Sequence, residues 1–337
     1  MKLILTTTIV GILLLLAATG HAGQMTEVEK IEWLKANVAK ARLTIRVLDE
    51  AKQPLPSTTV KLYFTTFSNG VPADIRQGLT DASGLFSGEG YLWHKSDLGQ
   101  SIERPGYYSG VCLTKFTGQT NNPSNRWLPW DATFSTILRP KINPIAMLAK
   151  SGWIEMPATN ELCGYDLEKG DWVAPHGKGI VADLVFNLAR RYISQEDFEV
   201  KLEVTFSNPL DGIQEIEMPE EGRNSTFRWP RNALETGYQP KINFNFGHLP
   251  DRWIMQSGRE SQMFFFRVRT VERDGKIVSA LYGKIKGGLE LAPFDSKTSK
   301  VKLTYYLNPT SLDRNMEFDP QKNLFKNLPG MEQVKGP

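Results

Sequence analysis

Strict alternation of apolar and polar positions dominates the second half of the chain. Val200, Leu202, Val204 and Phe206 alternate with Lys201, Glu203 and Thr205. The same rhythm recurs in Ile242, Phe244 and Phe246, which alternate with Asn243 and Asn245. It recurs again in Phe264, Phe266 and Val268 against Phe265, Arg267 and Arg269, and in Val301, Leu303, Tyr305 and Leu307 against Lys302, Thr304 and Tyr306. A period of two puts every second side chain on one face of a strand, so each run predicts a strand with one buried face. Val181 to Leu188 is a nearly continuous apolar run, and Asp274-Gly275 marks a hairpin turn ahead of the strand 277–285. Only Ser194 to Phe198 hints at a helical turn. Many strands separated by turns predict a larger antiparallel β-sandwich over residues 152–308, jelly-roll-like in plan.

The first half opens differently. Val28, Ile31, Leu34 and Val38 recur at spacings of three and four, which places them on one face of a helix within 23–42. Thr26 and Glu29 stand at capping-box spacing, and Trp33 lies off the stripe. The stripe suits packing on the domain that follows; it also suits docking to a partner. From Leu43 the period changes to two, with Ile45 and Val47 on one face. Gln53-Pro54-Leu55-Pro56 then forces a turn, because proline lacks the donor a sheet ladder needs. Val60 and Leu62 restart the alternation, and Thr80-Asp81-Ala82-Ser83-Gly84 reads as a hairpin turn leading to Phe86.

Val47, Pro54-Leu55, Val60, Leu62, Thr80-Asp81, Gly84 and Phe86 together resemble the carboxypeptidase regulatory-like domain, a small transthyretin-like β-sandwich of exported bacterial proteins. The resemblance covers about a quarter of the chain, from Leu43 to Gly118. It implies a usually non-catalytic module, placed here at 43–140. Ala51-Lys52-Gln53 stands where that family usually has a glycine, so the first turn is expected to differ. The expected fold is therefore mainly β: an N-terminal helix, a small sandwich, a larger sandwich and a C-terminal tail over 309–337. The tail is expected to lie along the surface, pinned by Phe318, Leu324 and Phe325, with its last residues disordered.

Residues 1–22 carry a leader pattern: Lys2, an apolar run from Ile4 to Ala18, and Gly20-His21-Ala22 as a small-x-small cleavage site. The core of that run is shorter than the roughly 20 residues a span needs, and no second run of membrane length follows. An exported, periplasmic or extracellular chain without a stable membrane span is expected. Formal net charge is +3 over 337 residues with both signs mixed, which argues against a nucleic-acid partner. In an exported chain the two cysteines, Cys112 and Cys163, permit one disulfide or two separate buried thiols.

Candidate chemistry concentrates between Gly164 and Asp183. Asp166, Glu168, Asp171 and Asp183 supply carboxylates, and Tyr165, Trp172 and His176 join them among glycines. One reading pairs two of these acids as a glycan-acting hydrolase, which needs carboxylates about 5 to 10 Å apart across the scissile bond. Another uses them to hold Ca²⁺, although the spacing is not that of an EF-hand. A third makes the segment a tight loop whose glycines serve turns and whose Trp172 packs on the sandwich. Gly177-Lys178-Gly179 lacks the spacing of a phosphate loop, and there is no Gly-x-Ser-x-Gly elbow. His94, His176 and His248 show no metal-ligand spacing, so no metal site or other cofactor is expected. Loop aromatics offer the positive signal for binding: Trp93, Tyr107, Tyr108, Trp127, Trp130, Trp172, Trp229 and Trp253. Trp127, Trp130, Trp172 and His176 are the binding candidates. The expected role is a non-catalytic binding or structural protein of the cell envelope or secreted fraction, with a glycan or an envelope protein as partner.

Overall fold

The computed structural model describes residues 26–65, 74–92, 94, 98–120, 125–256, 261–292 and 299–337. The leader pattern at 1–22 and Trp93 lie outside the described residues. The chain divides into two compact units, one ending at Pro140 and one running from Lys141 to Pro337.

The first unit begins with helix α1 (Glu27–Asn37). The capping box is formed: the Glu29 amide donates to Thr26 Oγ1, and the Thr26 amide donates to the Glu29 carboxylate at 2.7 Å. The helix buries only part of its apolar stripe. Leu34 and Val38 are buried, whereas Val28 is 70% and Ile31 46% exposed.

The strands that follow are β1 (Ala39–Leu48), β2 (Thr59–Thr65), β3 (Asp74–Leu79), β4 (Leu85–Leu92) and β5 (Gly99–Glu103). Three more complete the unit: β6 (Gly118–Gln119), β7 (Trp127–Leu128) and β8 (Ala132–Ile137). Strands β4, β1 and β8 form one sheet, with β1 and β8 parallel; β3, β2 and β5 form another. Leu43, Ile45 and Val47 of β1 and Val60, Leu62 and Phe64 of β2 meet in one core.

The two turns read from the sequence are present, but both join strands of different sheets. At the second, Asp81 accepts from the amides of Ser83 (2.8 Å) and Leu85 (2.9 Å), and Gly84 has φ +72°. Strand β3 enters this turn and β4 leaves it in the other sheet, so the predicted hairpin is a corner. A Cβ at Gly84 would lie 2.5 Å from the Val47 carbonyl oxygen. At the first turn Lys52 takes the left-handed conformation (φ 60°).

The second unit contains β9 (Leu148–Glu155), β10 (Leu162–Asp166), β11 (Asp171–Trp172), β12 (Leu184–Ser194), β13 (Asp197–Thr205) and β14 (Gly212–Glu215). It continues with β15 (Lys241–Leu249), β16 (Arg252–Met255), β17 (Met263–Arg273), β18 (Lys276–Lys286), β19 (Glu290–Ala292) and β20 (Lys300–Asn308). One sheet has the order β11-β10-β12-β13-β15-β16. The other runs β14-β17-β18-β20, with β19 and β9 also paired to β20. The alternating residues face each other across the layers: Phe186, Leu188, Val200, Leu202 and Phe244 meet Phe264, Phe266, Val268, Leu303 and Tyr305 in a shared core. This is a β-sandwich. The expected helical turn at 194–198 is the β12–β13 hairpin, with Ser194 opposite Asp197.

The outer face of the β17–β18–β20 sheet is covered as well. Phe265 is fully buried against Trp229 (centroids 5.9 Å apart), and Tyr306 packs on Phe318 (5.3 Å). The expected surface tail is an integral layer. Glu317, 1% exposed, accepts from the amides of Ile142 and Asn143 and from Arg231. The Asn323 side chain bonds both backbone groups of Ala149 like a short strand. Val334 is buried close to the end of the chain, and Tyr306 donates to the Gly336 carbonyl.

The disulfide alternative is not realised. Cys112 is enclosed in the core of the first unit and Cys163 in that of the second, both as free thiols. Burial pushes the Cys112 thiol up to about 12 and raises Cys163 as well. We expect a thiol reagent to leave the native chain unlabelled and to titrate two thiols once it is denatured. A denatured, unreduced chain that yields no thiol would carry the bridge instead. At the corner, Gly84→Val should destabilise the first unit by about 2 kcal/mol or more in urea unfolding, since both φ and the close approach resist a side chain. An unchanged midpoint would mean the corner relaxes.

Candidate functional site

Strand β10 ends on Asp166, and β11 returns from Asp171, with Gly170 (φ +64°) completing the turn between them. The loop to β12 then folds back over this hairpin. Gly177 makes the folding possible, because a Cβ there would lie 2.4 Å from the Trp172 carbonyl oxygen and 2.6 Å from Asp171 Oδ1. The glycines of the segment therefore serve turns and close approach, as the loop reading expects.

The carboxylates are consumed inside this structure. Asp166 Oδ1 accepts from the amides of Glu168 (2.9 Å) and Lys169 (3.1 Å) and from Arg269 Nη2 (3.1 Å). Its Oδ2 accepts from the amides of Ile180 (2.9 Å) and Val181 (3.1 Å). Asp183 receives Nε and Nη2 of Arg269 at 2.8 and 2.9 Å, together with the Leu167 amide at 2.9 Å. Glu168 pairs with Arg269 Nη1. Asp171 accepts from the amides of Trp172 and Lys178. One guanidinium thus sits at the centre of three carboxylates, and the backbone satisfies most of what remains.

Arg269 was not among the residues singled out from the sequence. Alternation along β17 places it on the face opposite Val268, pointing out of the sandwich. A β-bulge changes its direction: the pairing steps from Val268–Leu281 to Val271–Ser279, so Arg269 and Thr270 together oppose Ala280. Arg269 takes φ 56° there, and Asp211 holds the bulge by accepting from the amides of Arg269 (2.8 Å) and Thr270 (2.9 Å). A lone arginine in a strand, 86 and 103 residues from its two buried partners, gives no local sequence signal.

Electrostatics follow the contacts. Burial pushes the Asp166 carboxyl up, but the amides of Ile180, Val181 and Lys169 and the charge of Arg269 outweigh it, and the group lies below its usual value. At Asp183 burial wins over Arg269 and Leu167, and the carboxyl lies above its usual value. Burial opposes the charge on Arg269, but Asp183 and Glu168 overcome it and lift the guanidinium well above its ordinary range. A hydrolase pair must show two carboxyl oxygens to a substrate. Asp166 is 1% and Asp183 2% exposed, so neither can act as acid, base or nucleophile in this arrangement. The oxygens offered to Ca²⁺ in the sequence reading are taken by the guanidinium and by amides. Among the described residues no group of three His, Cys, Asp or Glu side chains is placed to hold a metal ion.

Trp172 and His176 line an open groove of about 410 Å³ with Lys150, Ile154, Glu155 and Asp171. His176 is exposed, but Trp172 is 8% exposed and packs edge-on against Tyr165 (5.2 Å, 85°) and Phe186 (5.4 Å, 76°). Its ring belongs to the core. Trp127 is likewise an anchor: it is buried, and its Nε1 donates to the Leu92 carbonyl at 2.7 Å. Trp130 is half-buried under the Arg126 guanidinium, 4.4 Å from the ring centroid. Among the described residues, the exposed tryptophans are two others, Trp153 at 43% and Trp253 at 57%.

No family model matches the chain. No curated protein matches it. Similar solved structures include a streptococcal ancillary pilin, 10% identical, covering 71% of this chain and 57% of that one at a TM-score of 0.18. The chain thus spans little more than half the length of that pilin. A putative carbohydrate binding protein from Bacteroides uniformis is 6% identical, covering 80% of this chain and 98% of that one (TM-score 0.17). The shaft pilin SpaA from Lactobacillus rhamnosus GG is 8% identical, covering 78% and 94% (TM-score 0.18).

Removing the central cation should cost more than removing any one acid. Arg269→Met leaves buried carboxylates without their counter-charge and should destabilise the second unit by about 3 kcal/mol, the low end for a broken buried pair because the guanidinium is partly wet. Arg269→Lys, a single point charge, should recover only part of the loss. Equilibrium denaturation measures both. A loss below about 1 kcal/mol for Arg269→Met would show that the cluster holds nothing together.

Proposed function

We propose that the chain is a non-catalytic, exported binding or structural protein of the cell envelope or secreted fraction. The observation that carries this reading is the capture of buried Asp166 and Asp183 by Arg269 and backbone amides, with Glu168 held in the same cluster and Asp171 bonded to the amides of Trp172 and Lys178. The segment richest in chemistry is spent on holding the sandwich. What the surface offers is an open groove and exposed aromatic side chains, features suited to holding a glycan or another protein. Export is supported by the leader pattern at 1–22. Among the described residues no helix is long and apolar enough to cross a membrane. The first unit reads as a carboxypeptidase regulatory-like module, supported by its two three-stranded sheets and by the residues quoted above.

The test is direct. Incubated with β-linked and α-linked oligosaccharides, the chain should release no new reducing ends. Asp166→Asn and Asp183→Asn should lower its melting temperature by several degrees, the response to about 1–2 kcal/mol in a unit of this size. Release of reducing ends that Glu168→Gln or Asp171→Asn abolishes without loss of folding would reverse the reading in favour of the hydrolase.

A further inference from the structure

The core-facing side of the β12–β13–β15–β16 sheet carries a row of rings that runs out to the surface. Tyr192 lies opposite Phe198, Phe198 opposite His248, and His248 opposite Trp253. Residues directly opposite in antiparallel strands share a face, so one ring from each of four strands forms this row. Tyr192 and Phe198 stack at 6.3 Å and 25°. His248 lies flat on Trp253, with centroids 4.0 Å apart and planes 6° apart. Phe198 and Phe246 support the same indole at 6.4 and 6.2 Å. The row begins in buried Phe198 and ends in Trp253, which is 57% exposed.

We propose that Trp253 is the stacking platform of a neutral oligosaccharide site. An indole covered on one face by a parallel imidazole and still more than half exposed must present its other face to solvent. That face matches the flat C–H side of a single pyranose ring. Packing by His248, Phe198 and Phe246 has already fixed the indole, so little side-chain freedom remains to be lost on binding.

The surroundings select the class of ligand. Asp251 and Arg252 flank the platform at the β15–β16 turn, 72% and 66% exposed, and pair loosely at 3.8 Å. Arg252, next to Trp253 in β16, points to the other face of the strand and pairs with Asp251, so the two place no net charge beside the platform, which favours a neutral sugar over an anionic one. The neighbouring exposed side chain on the same face is Met255, opposite Phe246 and 63% exposed. Trp253 and Met255 together expose on the order of 250 Å², against the roughly 800 Å² per partner of a stable protein interface. That area suits one or two sugar rings.

This inference rests on the binding reading above, and its test separates the two. The full chain is titrated calorimetrically with cellohexaose, mannohexaose and N-acetylchitohexaose at millimolar concentration. We expect at least one to bind. Trp253→Ala should weaken that binding at least tenfold in a chain that still unfolds cooperatively, at a somewhat lower melting temperature because its packing on Phe198 and Phe246 is lost. Trp253→Phe should retain part of the binding. Trp153→Ala, on the other sheet, should bind as the unaltered chain does. Equal binding by Trp253→Ala and the unaltered chain would overturn the platform while leaving a glycan-binding protein. If none of the three sugars binds, the sugar site falls. The non-catalytic reading would then still stand on the Arg269 cluster and its own assay.

Discussion

Three carboxylates around one guanidinium determine how the larger sandwich closes. Asp166 and Asp183 belong to the β10–β12 segment of one sheet, and Arg269 belongs to β17 of the other. Hydrophobic burial is non-directional and brings the two sheets together without fixing how they sit. The bidentate contact of Arg269 with Asp183, and its reach to Asp166, fix that arrangement at one end of the core. Bringing this many charges out of water is costly, and the ion pairs alone would not offset it. Four backbone amides on Asp166, a fifth on Asp183 and the two that Asp211 holds at the bulge supply the balance. The glycines of the 170–179 loop follow from the same need, since they let those amides approach.

A second buried cation ties the outer layer on. Lys284 is fully buried on the outward face of β18, where its Nζ donates to the Met316 carbonyl at 2.7 Å. The rings of Tyr306, Trp229 and Phe227 surround it at 4.4, 5.0 and 5.3 Å. An ammonium enclosed by aromatic faces and a carbonyl keeps much of the stabilisation it loses with water. The result is a sheet buried on both faces, which explains why β17 reads Phe264-Phe265-Phe266 without a polar break.

What could be read from the sequence was local. The capping box at Thr26 and Glu29, the Asp81–Gly84 turn and the strict alternations of β13, β15 and β20 each depend on residues a few positions apart, and each is present. The features that fail to show in sequence are the long-range ones. The Asp81 turn looks like a hairpin because nothing local says that its two strands belong to different sheets. The C-terminal segment has no periodicity, yet Glu317 and Asn323 bond it to residues 174 or 175 positions earlier. Arg269 follows alternation up to the bulge that turns it inward. The acidic segment is visible in the sequence but its cation is not, and carboxylates without their counter-charge read equally as catalytic, metal-holding or structural.

The division of labour between the two clusters of functional-looking residues follows from exposure. A catalytic acid and a bound cation both need an oxygen with unused capacity, and the burial that creates the Arg269 cluster removes it. A stacking surface needs the opposite: a ring held rigidly from behind and bare in front. Trp127 and Trp229 are buried, and Trp172 is fixed edge-on by Tyr165 and Phe186 with little of its ring left at the groove, so all three belong to the fold. Trp253 is held on one face by His248 and remains 57% exposed. The same sheet face supplies both parts: the row of rings starts in the core at Phe198 and ends at Trp253 on edge strand β16. An aromatic residue at that limit needs no separate scaffold. The core provides its rigidity, and solvent provides its access.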